Sequence, residues 1–249
     1  MSRTIRIATR GSKLAQIQAR KVGDALVANN PELSYELELI TTQGDRFMGD
    51  LSKIGGKGVF VKEVENALMA DKADVAVHSV KDMPPDSEQP EELKVVAMLE
   101  REDIRDVTVC RPDESFVSLK EGQIIGTSSV RRASQVQATF PHLDVKPVRG
   151  NVETRIQKLM NGDVDALVLA KAGLDRLGLE GRISEVLEPD MMCPAVGQGA
   201  IAAQCRADDK ELVAALENIN HKDTWTCVQA ERAMLTVLSG SCHTPIAGF

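Results

Sequence analysis

The chain has 249 residues, 43% hydrophobic and 27% charged, an ordinary globular composition that can bury a sizeable core without disulfide staples. Its net charge is -7 and 3% of its residues are aromatic, which argues against a nucleic-acid binder with a basic, aromatic-lined face. No run would span a bilayer and the first residues lead directly into a strand pattern, so a cytoplasmic protein is expected.

Thr4 to Thr9 reads as a first strand. Gly11-Ser12 opens a helix with Leu14, Ile17, Val22 and Leu26 on one face, stopped by Asn29-Asn30-Pro31. Tyr35 to Thr42 alternates as a second strand, and a glycine- and charge-rich loop follows from Gln43 to Gly58. A helix from about Val59 to Ala70 carries Phe60, Val64 and Leu68 at helical spacing. Asp74 to Pro85 starts as a strand through Val75 and Val77 and stops at two prolines, which leaves Lys81 and Asp82 where a strand exits its sheet. Pro84 to Glu92 reads as a loop, and Lys94 to Leu99 and Asp106 to Arg111 as strands that cross between domains.

A second set of βα units follows. Gln123 to Gly126 is a strand, Ser129 to Phe140 a helix, Leu143 to Val148 a strand and Asn151 to Met160 a helix. Val164 to Ala170 is a strand and Ala172 to Leu177 a short helix. The glycine-rich turn from Pro194 leads into a strand ending at Arg206, and helices at Lys210 to Ile219 and Thr224 to Leu238 complete the pattern. Strands alternating with helices imply an α/β fold with a largely parallel sheet. Ile7 to Gln18 resembles Ile125 to Gln137 when one gap is allowed, a faint repeat that two similar lobes would explain.

Basic residues recur at the ends of these elements. Arg10 follows the first strand, Lys53 and Lys57 flank Gly55-Gly56, and Lys81 follows the third strand. Arg131 and Arg132 lie in the first turn of a helix, Arg149 and Arg155 bracket Gly150-Asn151, and Arg176 sits in a later helix. Helix N-termini and arginine forks both favour anions, and carboxyl ends of strands in open α/β sheets are where ligands bind. Adjacent arginines gain nothing as a pair, because they repel. The Gly55-Gly-Lys-Gly58 loop fails as a phosphate-binding P-loop, since Lys57 is followed by Gly58.

The four histidines are scattered, so no metal site is expected, and His78 reads as a hydrogen-bonded core residue. The five cysteines are odd in number and form no C-x-x-C. Cys110, Cys193, Cys205 and Cys227 read as buried inert thiols, whereas Cys242 sits in a small polar loop where a thiol can be reached.

Several stretches together resemble the porphobilinogen deaminase (hydroxymethylbilane synthase) family: Ala8–Ser12, Lys53–Gly58, Val77–Asp82, Gly126–Arg132, Arg149–Val152, Pro194–Gly199 and Gly240–Ile246. The resemblance implies two lobes like those of periplasmic binding proteins, residues 1–99 with 195–219 and residues 100–194. It also implies a small α+β third domain, of which residues 220–249 would be only the beginning, with Val228, Leu235 and Leu238 lacking a covering layer. It implies a monomeric transferase of tetrapyrrole (haem) biosynthesis, which condenses four porphobilinogen molecules into hydroxymethylbilane with release of ammonia.

The implied cofactor is a dipyrromethane held by a thioether to Cys242. By the same resemblance Lys81, Thr127, Ser129, Arg131 and Arg132 contact that cofactor. Arg10, Ser12, Lys53, Lys57, Arg149, Arg155, Arg176 and Gln198 contact the substrate and the growing pyrrole chain, whose acetate and propionate groups need cations. Asp82 is the carboxylate expected to stabilise cationic states and move protons. Ser241 departs from the pattern, which has two glycines before the cysteine. The competing expectations are an inactive fragment and a non-catalytic anion-binding protein of the same two-lobed build.

Overall fold

The computed structural model of the protein describes residues 3–42, 61–85, 88–112, 114–238, 240 and 244–249. The predicted loop Gln43 to Gly58, with Lys53 and Lys57, lies outside the described residues, as do Phe60, Ser241 and Cys242. The chain divides into two compact units, residues 1–102 with 200–242 and residues 103–199 with 243–249.

In unit 1 the stretches Arg3–Arg10 (β1) and Leu33–Ile40 (β2), each alternating apolar with polar residues, pair in parallel, joined by helix α1, Lys13–Asn29. The helix buries Ala19, Val22 and Leu26 as its spacing requires, and also Gly23, where an added Cβ would lie 2.7 Å from the Tyr35 ring. Helix α2 (Lys62–Met69) then leads to β3 (Val75–Ser79), parallel to β1, and β4 (Leu93–Met98) follows.

Unit 2 repeats the plan. It contains β5 (Asp106–Cys110), β6 (Ile124–Gly126), α3 (Val130–Thr139), β7 (Asp144–Lys146), α4 (Val152–Met160), β8 (Ala166–Ala170), α5 (Lys171–Leu177) and β9 (Glu185–Leu187). The three-residue β9 escapes the sequence reading, being too short to show a period. The chain then supplies β10 (Ile201–Arg206), α6 (Lys210–Glu217) and α7 (Lys222–Val237) to unit 1.

The sheet orders are β2-β1-β3-β10-β4 and β7-β6-β8-β5-β9. Each sheet is mixed rather than largely parallel, because β10 runs against β3 and β4 and β5 runs against β8 and β9. The cause is where the chain enters. Ala200 meets the exit of β3, its carbonyl accepting from Val80 N at 3.1 Å, so β10 must run back along β3. Likewise Asp106 opposes Ala170 at the exit of β8, so β5 runs back along β8. Both crossovers therefore deliver the chain to the carboxyl edge of a sheet.

The faint repeat maps onto this order: β1 and β6 are each second in their sheets, and each feeds a helix capped by a serine, Ser12 or Ser129.

The cores are aliphatic: Ile5, Ile7, Val22, Leu26, Val75 and Leu216 pack together in unit 1, and Val107, Leu159, Leu167 and Leu174 in unit 2. Helix α7 is better covered than its sequence suggests. Val228 is buried with Val80, Met83 and Met98, Arg101 pairs with Glu231, and Arg232 Nη2 donates to the Pro84 carbonyl at 2.6 Å. The apolar residues at the end of the helix stay bare, with Val237 83% exposed and Leu238 also outside.

Candidate functional site

In unit 1 the chemistry-bearing residues gather at the carboxyl ends of the adjacent parallel strands β1 and β3. Arg10 ends β1, and Ser12 follows as the N-cap of α1, accepting from Ala15 N at 3.3 Å. The Met83-Pro84-Pro85 brake works as expected. Beyond Ser79 the chain makes one 3-10 turn, Val80–Asp82, that buries Val80 and leaves Lys81 half-buried and Asp82 exposed. Ser79 is pinned to α1 by Gln18, whose Nε2 donates to Ser79 Oγ at 2.9 Å.

Behind this edge His78 is buried, with Nε2 2.9 Å from Gln204 Oε1, while Gln204 Nε2 donates to Glu65 Oε1 at 3.0 Å. Burial pulls the His78 imidazole down to about 4, so it is a neutral core residue as expected.

In unit 2 the equivalent edge is richer in charge. Beyond β6 the backbone turns through Thr127, Ser128 and Ser129. Thr127 Oγ1 accepts from Ser129 N at 3.2 Å, Ser128 Oγ donates to the Val148 carbonyl at 2.9 Å, and Ser129 caps α3 by accepting from Arg132 N at 3.4 Å. Beyond β7, Gly150 adopts φ +112°, in the left-handed region, and Asn151 caps α4 by accepting from Thr154 N at 2.8 Å. Arg155 Nε donates to the Gly150 carbonyl at 2.8 Å, and the Arg149 carbonyl accepts from Lys158 Nζ at 3.2 Å. Two helix N-termini thus stand side by side on neighbouring strands, with Arg149 and Arg155 at one and Arg131 and Arg132 at the other. Arg176, in α5, donates to the Gly199 carbonyl at 2.6 Å.

The sequence reading missed Asp106. This residue, 0% exposed, accepts from Arg131 through Oδ2 at 2.7 Å and from Arg132 through Oδ1 at 2.8 Å. Burial alone would raise its carboxyl, but the two guanidiniums outweigh burial and hold it down at about 2. Burial also lowers Arg131 from the usual guanidinium range, yet the group stays charged. The signal available was an acidic residue opening an otherwise apolar strand, Asp106-Val-Thr-Val-Cys110.

Gln198 is fully buried. Its Nε2 donates to Asp106 Oδ1 at 2.8 Å and to the Ile104 carbonyl at 2.7 Å, and its Oε1 accepts from Arg132 Nη2 at 3.5 Å, so it touches both the carboxylate and one arginine.

Two of the cysteines read as buried are not. Cys110 and Cys205 are buried, but Cys193 is half-buried and Cys227 lies exposed on α7, because the polar face of that helix turns outward there. Among the described residues no three His, Cys, Asp or Glu side chains are grouped to hold a metal ion, and no helix is long and apolar enough to cross a membrane.

Solved structures with this fold include the periplasmic VFT2 domain of Bordetella pertussis BvgS, with a TM-score of 0.51 and 17% identity over 91% of this chain and 92% of that one. A TRAP periplasmic solute binding protein from Desulfovibrio salexigens gives a TM-score of 0.50 at 11% identity, over 96% and 80%. These likenesses show a two-lobed, periplasmic-binding-protein-like fold and nothing of the chemistry.

Sequence relatives are nearer. The porphobilinogen deaminase of Alkaliphilus metalliredigens (strain QYMF) is 48% identical over 248 residues, 99% of this chain and 78% of that one. That of Chromobacterium violaceum is 49% identical over 244 residues, 98% and 78%. A family model described as "Porphobilinogen deaminase, dipyromethane cofactor binding domain" matches residues 5–214, which contain Asp82, the arginine pair and Asp106. A whole-length match that takes in both carboxyl edges leaves one conclusion: the chain belongs to the porphobilinogen deaminase family.

Proposed function

We infer that the protein is a hydroxymethylbilane synthase, a transferase that joins four porphobilinogen molecules into hydroxymethylbilane and releases ammonia, in tetrapyrrole (haem) biosynthesis. The observation that carries this reading is the family match over residues 5–214, together with cations at the carboxyl edges of both sheets. The substrate and its growing chain carry many carboxylates, and cationic edges suit them.

The residue roles belong to the same proposal. Asp82, exposed where β3 ends, holds and moves protons at the pyrrole nitrogens and opposes developing positive charge. Arg10 and Ser12 at the exit of β1, and Arg149, Arg155 and Arg176 in unit 2, bind substrate carboxylates. Gln198 carries the substrate-binding assignment too, but it is fully buried and acts through its bonds to Asp106 and Arg132. Lys53 and Lys57 carry the same assignment and lie outside the described residues.

A dipyrromethane cofactor fits the unit 2 edge. There the Arg132 Nε is buried with no hydrogen-bond partner among the described residues, at the N-terminus of a helix whose donors favour an anion. Thr127, Ser129, Arg131 and Arg132 would hold it there; Lys81, on unit 1, carries the same assignment, and Cys242, also outside the described residues, would bind it through a thioether. When bound, that group supplies the pyrrole to which the first substrate is joined.

The reading carries with it a cytoplasmic monomer that binds no nucleic acid or membrane. It also assigns residues 220–249 to a cofactor-bearing domain; within the described residues, α7 packs on unit 1.

Intact mass and peptide mapping test the proposal. The expected result is an added mass of two linked pyrrole units on the peptide containing Cys242. If the peptide is unmodified and stays so after incubation with porphobilinogen, with no ammonia released, the proposal falls.

A further inference from the structure

Arg131 and Arg132 are consecutive cations that should repel, and a low-dielectric setting makes the repulsion worse. Both are nevertheless buried, at 5% and 6% exposed, because Asp106 lies between them and gives one oxygen to each. The same Oδ1 that meets Arg132 is also held by Gln198. Arg131 donates further to the Cys193 carbonyl, and Arg132 Nη1 to the Val168 carbonyl at 3.2 Å.

One carboxylate for two guanidiniums leaves a net positive charge in a site that excludes water. Among the described residues the Arg132 Nε–H has no acceptor. Purely structural pairing would match each cation with an anion. The fold itself does not ask for an acid here either. In unit 1 the first residue of the returning strand is Ile201, which faces Ser79 as Asp106 faces Ala170, and Ile201 is apolar and buried.

We propose that Asp106 is a positioning residue for carboxylate recognition: it fixes the Arg131 and Arg132 guanidiniums, itself steadied by Gln198, and leaves one positive charge and the Arg132 Nε–H for a carboxylate of the pyrrole substrate or cofactor. This inference rests on the reading of the protein as a porphobilinogen-condensing enzyme. Asp106 stays ionised throughout the neutral range, since its carboxyl is held at about 2.

The test compares Asp106→Asn, Asp106→Glu and Gln198→Leu in the full chain. Porphobilinogen consumption is measured alongside the arginine Nε–Hε signals in NMR. Asp106→Asn keeps the shape and removes the charge, so KM should rise about tenfold, the worth of one charge-assisted contact, while kcat changes less. Asp106→Glu restores the charge with an extra methylene in a tight site, and KM should return toward wild type. A steric role would make Glu the worse replacement.

Without substrate, the Arg131 and Arg132 Nε–Hε signals should exchange slowly with water in the wild type and rapidly in Asp106→Asn. Porphobilinogen should shift the Arg132 signal in the wild type. If Asp106→Asn does not fold, Gln198→Leu decides: a raised KM at unchanged secondary structure supports the role, and an unchanged KM overturns it. A wild-type KM in folded Asp106→Asn also overturns it. A wild type that neither consumes porphobilinogen nor shows the shift sinks the functional reading and the inference together.

Discussion

Two residues four positions apart behave in opposite ways because one is buried and the other is not. His78 is neutral in the folded chain, with burial holding its imidazole at about 4 against an ordinary 6.5. As pH falls below 6.5 the unfolded chain takes up a proton that the folded chain refuses, so stability is lost progressively between pH 6.5 and 4, by roughly 3 kcal/mol. Glu65, at the far end of the Gln204 bridge, acts in the other sense, because burial raises its carboxyl and the folded state welcomes its proton. The melting temperature should therefore drop between pH 7 and pH 4.5, and His78→Gln should flatten that slope; an equal slope in the variant would remove His78 from the account. Asp82 is exposed, so Asp82→Asn should leave the melting temperature unchanged while porphobilinogen consumption falls by about two to four orders of magnitude, the usual worth of a positioned acid–base group. Near-normal turnover in that variant would exclude Asp82 from the chemistry. The position of Asp82 was legible in the sequence, because Val75, Val77 and the Pro84-Pro85 brake act locally. Asp106 was not, because what makes it matter is a contact with Arg131 and Arg132 on a helix two strands away in the sheet.

At the level of elements, the two sheets are tied at their amino edges by the same device. Asp74, just before β3, donates its N–H to the Arg6 carbonyl at 2.8 Å, and its Oδ2 accepts from Arg6 N at 2.9 Å. Asp165, just before β8, donates to the Ile124 carbonyl at 2.8 Å, and its Oδ2 accepts from Ile124 N at 2.7 Å. Each carboxylate is then met by an arginine at the end of the antiparallel strand, Arg206 at 3.2 Å for Asp74 and Arg111 at 2.8 Å for Asp165. The device closes the seam between two parallel strands where regular pairing has not yet begun. Asp165→Ala would leave the Ile124 N–H without its acceptor and should cost about 2 kcal/mol. Asp74→Ala also strips Arg6 of two side-chain bonds and should cost about 3 kcal/mol. Urea unfolding of the full chain measures both, and a loss below about 0.5 kcal/mol in either would mean the tie is ornamental. The gapped match between Ile7 and Ile125 revealed that β1 and β6 are equivalent, because a strand end and a capped helix span enough residues to leave a pattern. The aspartate tie is one residue in each half, set in strands of different sequence, and it becomes visible only once the strands are placed.

For the whole molecule, what matters is the order in which the chain supplies its strands. Unit 2 takes every strand from the continuous stretch 103–199, whereas unit 1 waits for β10, which arrives after all the strands of unit 2. Among the described residues β4 pairs with β10 alone, so until β10 docks, β4 has no neighbour in its sheet. The β3–β10 pairs join residues about 125 apart and the β5–β8 pairs residues about 60 apart, and non-local pairing slows folding. The difference in closure entropy is itself small, about 0.6 kcal/mol for each doubling of length. The stronger constraint is dependence: α7 covers Val80, Met98 and Ala202, which lie on or beside β3, β4 and β10, so it has no finished surface to pack on until β10 is in place. Pulsed hydrogen exchange during refolding should therefore find amides of β5, β6 and β8 protected before those of β4, β10 and α7. Simultaneous protection in both units would show that β10 is recruited as fast as unit 2 closes, and earlier protection of β4 would contradict the dependence outright. Because Asp106 opens β5 and Gln198 lies just before β10, the full set of contacts around the arginine pair is complete only when both crossovers are in place. The arginine-bearing edge of unit 2 is then among the last features of that unit to become ordered, and the slow exchange of the Arg132 Nε–H should appear after the protection of β8.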